Sequence, residues 1–82
     1  MGKAAPPYYY IETIVKQIEK IAKLDAKINE LFVEREQYVE EHKIDKIAKL
    51  DVKINEQFIL REHYVEELKK AIEAQNTVKE QS

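Results

Sequence analysis

The chain contains one helical sequence twice, and this duplication limits the folds that it can adopt. Residues 18–41 read IEKIAKLDAKINELFVEREQYVEE, and residues 44–67 read IDKIAKLDVKINEQFILREHYVEE. Eighteen of the twenty-four aligned positions are identical, at a constant offset of 26 residues. Each copy has the length of one long helix, and an amphipathic helix has to bury its apolar stripe against a neighbour. The duplication therefore predicts an all-α fold of two matched helices.

The apolar residues of both copies recur at spacings of three and four, as in a heptad pattern. The predicted core positions are Ile11, Ile14, Ile18, Ile21, Asp25, Ile28, Phe32, Arg35 and Val39, and then Ile44, Ile47, Asp51, Ile54, Phe58, Arg61, Val65, Leu68 and Ile72. The pattern changes phase between Val39 and Ile44, because 26 is not a multiple of seven. A turn is therefore expected there, with Asp45 as a candidate N-cap.

These signals divide the chain into a flexible arm, a helical hairpin and a tail. The arm covers residues 1–7. The hairpin covers residues 8–76, with helix 1 at about 8–41, the turn at about 41–45 and helix 2 at about 45–76. The polar tail at 77–82 is expected to fray. Two straight helices exchanged between two chains satisfy the same pattern, so that a domain-swapped dimer stays an alternative to the hairpin.

An antiparallel pairing about Lys43 places each charged core residue opposite its counter-ion. In this register the numbers of facing residues sum to 86, so that Asp25 faces Arg61 and Asp51 faces Arg35. Apolar layers also face apolar layers, and a shift by one turn would leave the charges uncompensated in the core. We interpret these four residues as core ion pairs that set the register. An anion-binding or acid–base cluster is the alternative interpretation.

Residues beside this core predict that the hairpin associates with itself. On one side lies a wide apolar shelf, which is the predicted association surface: Leu24, Leu31, Tyr38, Leu50 and Tyr64. On the other side, small residues accompany Asn29 and Asn55, which are placed to form an amide–amide pair in the core near a pseudo-two-fold axis. Both sides are then partly buried. A homodimer that forms a four-helix, coiled-coil-like bundle is the simplest closed arrangement.

Other differences along the chain predict further contacts. The second copy departs most from the first at three positions spaced three apart, Gln57, Leu60 and His63. These residues are expected to contact either the segment 8–14 of another subunit or a bound partner. The tyrosines at positions 8–10 are expected to cap an end of the bundle, and stacking on a ligand is the alternative.

Composition excludes several classes of protein. The 14 basic and 16 acidic residues are interspersed, which predicts no nucleic-acid partner. No apolar run approaches the roughly 20 residues of a membrane span, so that a cytoplasmic protein is expected unless the chain is synthetic. Neither His42 nor His63 follows a glutamate by three positions, as bundle di-metal sites require. No metal and no cofactor are therefore expected.

The first copy carries a pattern of spaced apolar and charged residues at Ile21, Leu24, Asp25, Lys27, Ile28, Leu31, Glu34 and Arg35. It resembles the first helix of the helical chorismate mutases, in which the arginine binds a substrate carboxylate. The resemblance covers about twenty residues and implies this role for Arg35. The family has another arginine about seventeen positions earlier, where this chain has Ile18, and a second copy replaces the shorter helices that complete the family's site. No site residue is therefore transferred.

Taken together, these patterns predict a structural, self-assembling helical bundle without catalytic activity. The near-identity of the copies and the consistent register favour a designed or engineered scaffold. A natural hairpin that docks a partner's amphipathic helix on the apolar shelf is the alternative. An enzyme that uses the Asp/Arg cluster is the third interpretation.

Overall fold

The computed structural model describes residues 10–81 of the chain, and it confirms the all-α hairpin. Helix α1 spans Ile11–Glu40 and helix α2 spans Ile44–Gln81. The helices pack antiparallel along their length, and the molecule measures 65 × 18 × 15 Å. The predicted arm at 1–7 and the first two tyrosines of the 8–10 cluster lie outside the described residues.

The helix ends differ from the predicted ones by a few residues. Helix α1 begins after Tyr10, whose backbone N–H donates to the Gln75 side chain at 2.7 Å. Helix α2 continues to Gln81, so that residues 77–81, predicted as a frayed tail, are helical. Neither glycine nor proline interrupts this stretch. Asp45 lies within the first turn of α2 and is not its N-cap, although a carboxylate there still interacts favourably with the helix dipole.

The turn between the helices is a Schellman motif built without glycine. The Lys43 N–H donates to the Tyr38 carbonyl at 3.0 Å, and the His42 N–H donates to the Val39 carbonyl at 3.1 Å. His42 has a φ of 58°, in the left-handed region that favours glycine. Lys43 also contacts Glu41 at 2.8 Å, and this hydrogen bond lowers the pKa of Glu41 and raises the pKa of Lys43.

The core is a single inter-helix seam, and it is rotated from the predicted one. Five side chains in the described part of the chain are 4–7% exposed: Leu24, Ile28, Leu50, Ile54 and Ala71. In α1 the less exposed positions recur at spacings of three and four, at residues 14, 17, 21, 24, 28, 31, 35 and 38. Half of them match the predicted core. The other half, at 17, 24, 31 and 38, replace the predicted 18, 25, 32 and 39.

The rotation follows from the width of the apolar arc on each helix. Ile18, Phe32 and Val39, which were predicted in the core, are exposed, whereas the neighbouring Leu24 and Leu31 pack in the seam. Apolar residues cover more of the helix circumference than one neighbouring helix can bury. The hairpin therefore buries one edge of the arc and leaves the other edge open.

Candidate functional site

One side of the hairpin carries exposed apolar side chains from both helices, and we call this side the apolar face. By their helical positions, strips from α1 and α2 lie side by side, and the Phe32 and Phe58 rings meet across the seam with centroids 6.2 Å apart. Large exposed apolar patches usually mark interaction sites. The exposed members are 42–76% exposed and comprise Ile11, Val15, Ile18, Phe32, Val33, Val39, Ile44, Val52, Phe58, Ile59 and Ile72.

The two halves of the apolar face have matching geometry. The offset of 26 residues relates Phe32 to Phe58 and Val33 to Ile59. Two open grooves of about 430 Å³ lie at equivalent places in the two halves. Asn29 and Phe32 line one groove with Val33, and the equivalent residues of α2 line the other. The face thus has an approximate two-fold axis through its centre.

The two ion pairs are formed, and they border the seam on the side of the apolar face. In each pair the arginine donates from Nε to an aspartate Oδ1 at 2.6 Å, and Nη2 lies 3.4 Å from Oδ2; the pairs are Arg61–Asp25 and Arg35–Asp51. The hydrogen bond and then the charge of each aspartate raise the pKa of its arginine above the ordinary value.

The placement of these pairs differs from the predicted core position. Their side chains are 37–50% exposed in the isolated hairpin, because the seam passes beside them and does not enclose them. Each charge is compensated by its partner, so that the pairs add no net charge to the apolar face. Their role in setting the register stays a prediction.

The residues of the predicted amide pair and of the predicted shelf lie in other places than the sequence predicts. Asn29 and Asn55 are exposed on the apolar face, and no hydrogen bond joins them in the described part of the chain. Leu24 and Leu50 are buried in the seam, where Leu31, Tyr38 and Tyr64 are half-buried. The shelf is thus covered by the hairpin itself, and the surface that is left open is the one on the other side of the predicted core.

The opposite side of the hairpin is polar and rich in lysine. The Lys20 ammonium lies 5.5 Å from the centre of the Tyr64 ring, and the Lys46 ammonium lies 5.3 Å from that of Tyr38. Leu60 and His63 belong to this side, while Gln57 lies half-buried at the seam. The predicted contact of these three residues with another segment or molecule stays a prediction.

Charges are segregated between the two sides. By helical position, the rim of the apolar face carries eight acidic side chains and one basic side chain, Lys69. Glu12 and Glu66 each have a lysine within 4 Å. A net charge of −2 therefore conceals a strongly acidic rim around the apolar face. The acidic members are Glu12, Glu19, Glu36, Glu40, Asp45, Glu62, Glu66 and Glu73.

The described residues contain neither a metal-binding cluster nor a helix that could cross a membrane. No group of three or more His, Cys, Asp or Glu side chains there is arranged to hold a metal ion. Over the same residues, neither helix has the apolar length needed to cross a membrane.

The chain matches no protein-family model, and no curated protein or solved structure is significantly similar to it. The apolar face is therefore the feature of the molecule from which a function can be inferred.

Proposed function

We propose that the hairpin is a structural unit that assembles with a second copy of itself. The second copy covers the apolar face and completes a four-helix bundle, and the assembly has no catalytic activity. The observation that carries this proposal is the apolar face, eleven large side chains that remain 42–76% exposed in the single chain. Burying such a surface is the main favourable contribution to protein association.

The small core of the single chain supports the proposal. Only five side chains of the described residues are buried, all of them in one seam between two helices. Chains of this length bury a smaller fraction of their surface than larger domains do, and they often gain stability from oligomerisation. The second seam of a bundle would bury the edge of each apolar arc that the first seam leaves open.

The size and symmetry of the face also fit a second copy. The molecule is 65 Å long and 18 Å wide. Contact over about two thirds of that outline would reach the roughly 800 Å² per partner of a standard protein interface. Because the face has its own approximate two-fold axis, a second copy that meets it would bring equivalent rows of apolar residues on the helices into contact. The near-identical copies and matching ion pairs further support a designed or engineered scaffold.

Two adjacent residues provide the test. Ile59 is 59% exposed on the apolar face, and Leu60 is 38% exposed on the polar side. Ile59→Glu places a carboxylate in the proposed interface, whereas Leu60→Glu introduces the residue that the first copy has at the equivalent position, Glu34. Light scattering and small-angle X-ray scattering measure mass and length.

We expect the wild-type chain and Leu60→Glu to have twice the 9.7 kDa chain mass and a length near 65 Å. Ile59→Glu is expected to be monomeric with unchanged helicity. A monomeric wild-type chain, or an Ile59→Glu variant that remains dimeric, contradicts the proposal.

The acidic rim favours a second candidate, in which the apolar face docks an amphipathic helix of another protein. Eight acidic residues and one lysine on the rim complement a helix with basic residues beside its apolar stripe. The two candidates are expected to respond to salt in opposite directions, because salt weakens repulsion between two acidic rims and also weakens attraction between the rim and a basic helix.

A further inference from the structure

Two asparagines lie near the centre of the apolar face, each between an ion pair and exposed apolar side chains. Asn29 lines one groove beside Phe32, and Asn55 lines the equivalent groove beside Phe58. Both are exposed, and neither side-chain amide forms a hydrogen bond within the described part of the chain. An amide in the middle of a surface that is to be buried is costly unless its hydrogen bonds are satisfied.

The asparagines lie close to the approximate two-fold axis. The ion pairs join residues whose numbers sum to 86, and the two copies are offset by 26 residues. Residues 30 and 56 satisfy both relations, because their numbers sum to 86 and differ by 26. The axis therefore passes at the level of these two residues, one position from each asparagine. The amides therefore occupy the part of the face that a centred second copy would cover first.

Two copies that meet face to face with their axes aligned bring asparagine close to asparagine. This holds whether α1 contacts α1 or α2 of the second copy, because Asn29 and Asn55 are both near the axis. A carboxamide carries a donor and an acceptor, so that it can pair with a second carboxamide.

A shifted arrangement loses this pairing. Sliding one copy by seven residues, about 10.5 Å along a helix, moves the asparagines beside the equivalent positions one heptad away. Those positions hold Ala22 and Glu36 on α1, and Ala48 and Glu62 on α2. Neither a methyl group nor a carboxylate satisfies the donor and the acceptor of an amide together.

We propose that Asn29 and Asn55 form hydrogen bonds between the two copies and thereby select one register of the dimer. This inference rests on the proposed self-assembly and assigns a specificity role to two residues within it. A buried asparagine in a helical interface specifies register and oligomer state at a cost in stability. The rest of the apolar face supplies affinity without distinguishing one register from the next.

The test replaces both amides by an apolar side chain of similar size. Asn29→Leu with Asn55→Leu is compared with the control Val33→Leu with Ile59→Leu, which introduces the same residue on the same face and keeps both amides. The chain has no cysteine, so that Lys23→Cys provides a unique site for a spin label. Lys23 is exposed on the polar side, seven residues from the level of the axis, so that a slide of one copy changes the distance between labels. Pulsed electron paramagnetic resonance spectroscopy then measures the distances between labels in the assembled protein.

We expect one narrow distance distribution in the wild-type background and in the control. The asparagine variant is expected to assemble about tenfold more tightly but to give several distances or additional masses. A dimeric wild-type chain whose asparagine variant keeps the single narrow distribution overturns the inference and leaves the proposed self-assembly intact. A monomeric wild-type chain overturns both.

Discussion

At the scale of single residues, the energetic contribution of the two ion pairs depends on what covers them. Arg61 and Asp25 are bidentate partners, and so are Arg35 and Asp51, but all four are partly exposed in the single hairpin. Exposed ion pairs contribute little to stability, because water screens the charges. If a second copy covers the apolar face, removing one partner leaves an uncompensated charge in a dry interface.

Asp25→Ala is therefore expected to lower stability more in the wild-type background than in the Ile59→Glu background. Adding Arg61→Leu to Asp25→Ala is expected to recover much of the loss, since no unpaired guanidinium then remains. Urea denaturation followed by circular dichroism measures both effects. Equal losses in the two backgrounds would show that covering the face does not bury the pair.

At the scale of the elements, stability depends on the seam and on the turn. The seam holds the buried leucines, Leu24 and Leu50, whereas Leu60 has the same side chain on the polar surface. This difference separates the energetic effect of burial from that of helix propensity, because the same substitution can be made at both kinds of position.

Leu24→Ala is expected to lower the free energy of unfolding by about 2–5 kcal/mol, through lost burial and an unfilled cavity. Leu60→Ala is expected to change it by no more than about 0.5 kcal/mol, as at most surface positions. Chemical denaturation of both variants measures the difference. Similar losses at the two positions would mean that the seam has been assigned to the wrong face of α1.

The turn offers a stabilising substitution. His42 adopts a left-handed conformation that costs a residue with a Cβ about 1–2 kcal/mol. His42→Gly is expected to raise the free energy of unfolding by about 0.5–1 kcal/mol, because relief of this strain exceeds the added entropy of the unfolded chain. His63→Gly, inside α2, is the control and is expected to lower it by about 1 kcal/mol. Destabilisation by His42→Gly would contradict the left-handed conformation at this turn.

At the scale of the whole molecule, the separation of charge between the two sides governs association. Two apolar faces that meet bring two acidic rims together, whereas a basic partner helix would be attracted to one rim. Salt screens both effects over distances beyond about 10 Å at 0.1 M. Its influence on binding therefore has opposite signs for the two candidate functions.

Raising NaCl from 50 to 500 mM is expected to lower the dissociation constant of the dimer by about three- to tenfold. This range corresponds to relief of several exposed like-charge contacts of about 0.2–0.5 kcal/mol each. Sedimentation equilibrium at several salt concentrations measures it. A dissociation constant that rises with salt would instead favour an interface in which opposite charges meet, as expected for a basic partner helix.

The order of the amino acids is sufficient to establish several features of the hairpin. The repeated three-and-four spacing predicts two helices, and the change of phase after Val39 places the turn close to the observed one. Complementary charges at fixed positions are sufficient to match Asp25 with Arg61 and Asp51 with Arg35. These features depend on spacing along a helix and on the sign of charge, both of which can be read directly from residue order.

Three features required the tertiary structure. The left-handed turn residue is a histidine, and this residue gives a weaker turn signal than glycine. Helix α2 extends past residue 76 to Gln81, through a polar stretch that neither glycine nor proline interrupts. The third feature is the edge of the apolar arc that faces the sister helix, with Leu24 buried and Phe32 exposed. Periodicity leaves this choice open, since both edges repeat with the same spacing and only the packing of the two helices distinguishes them.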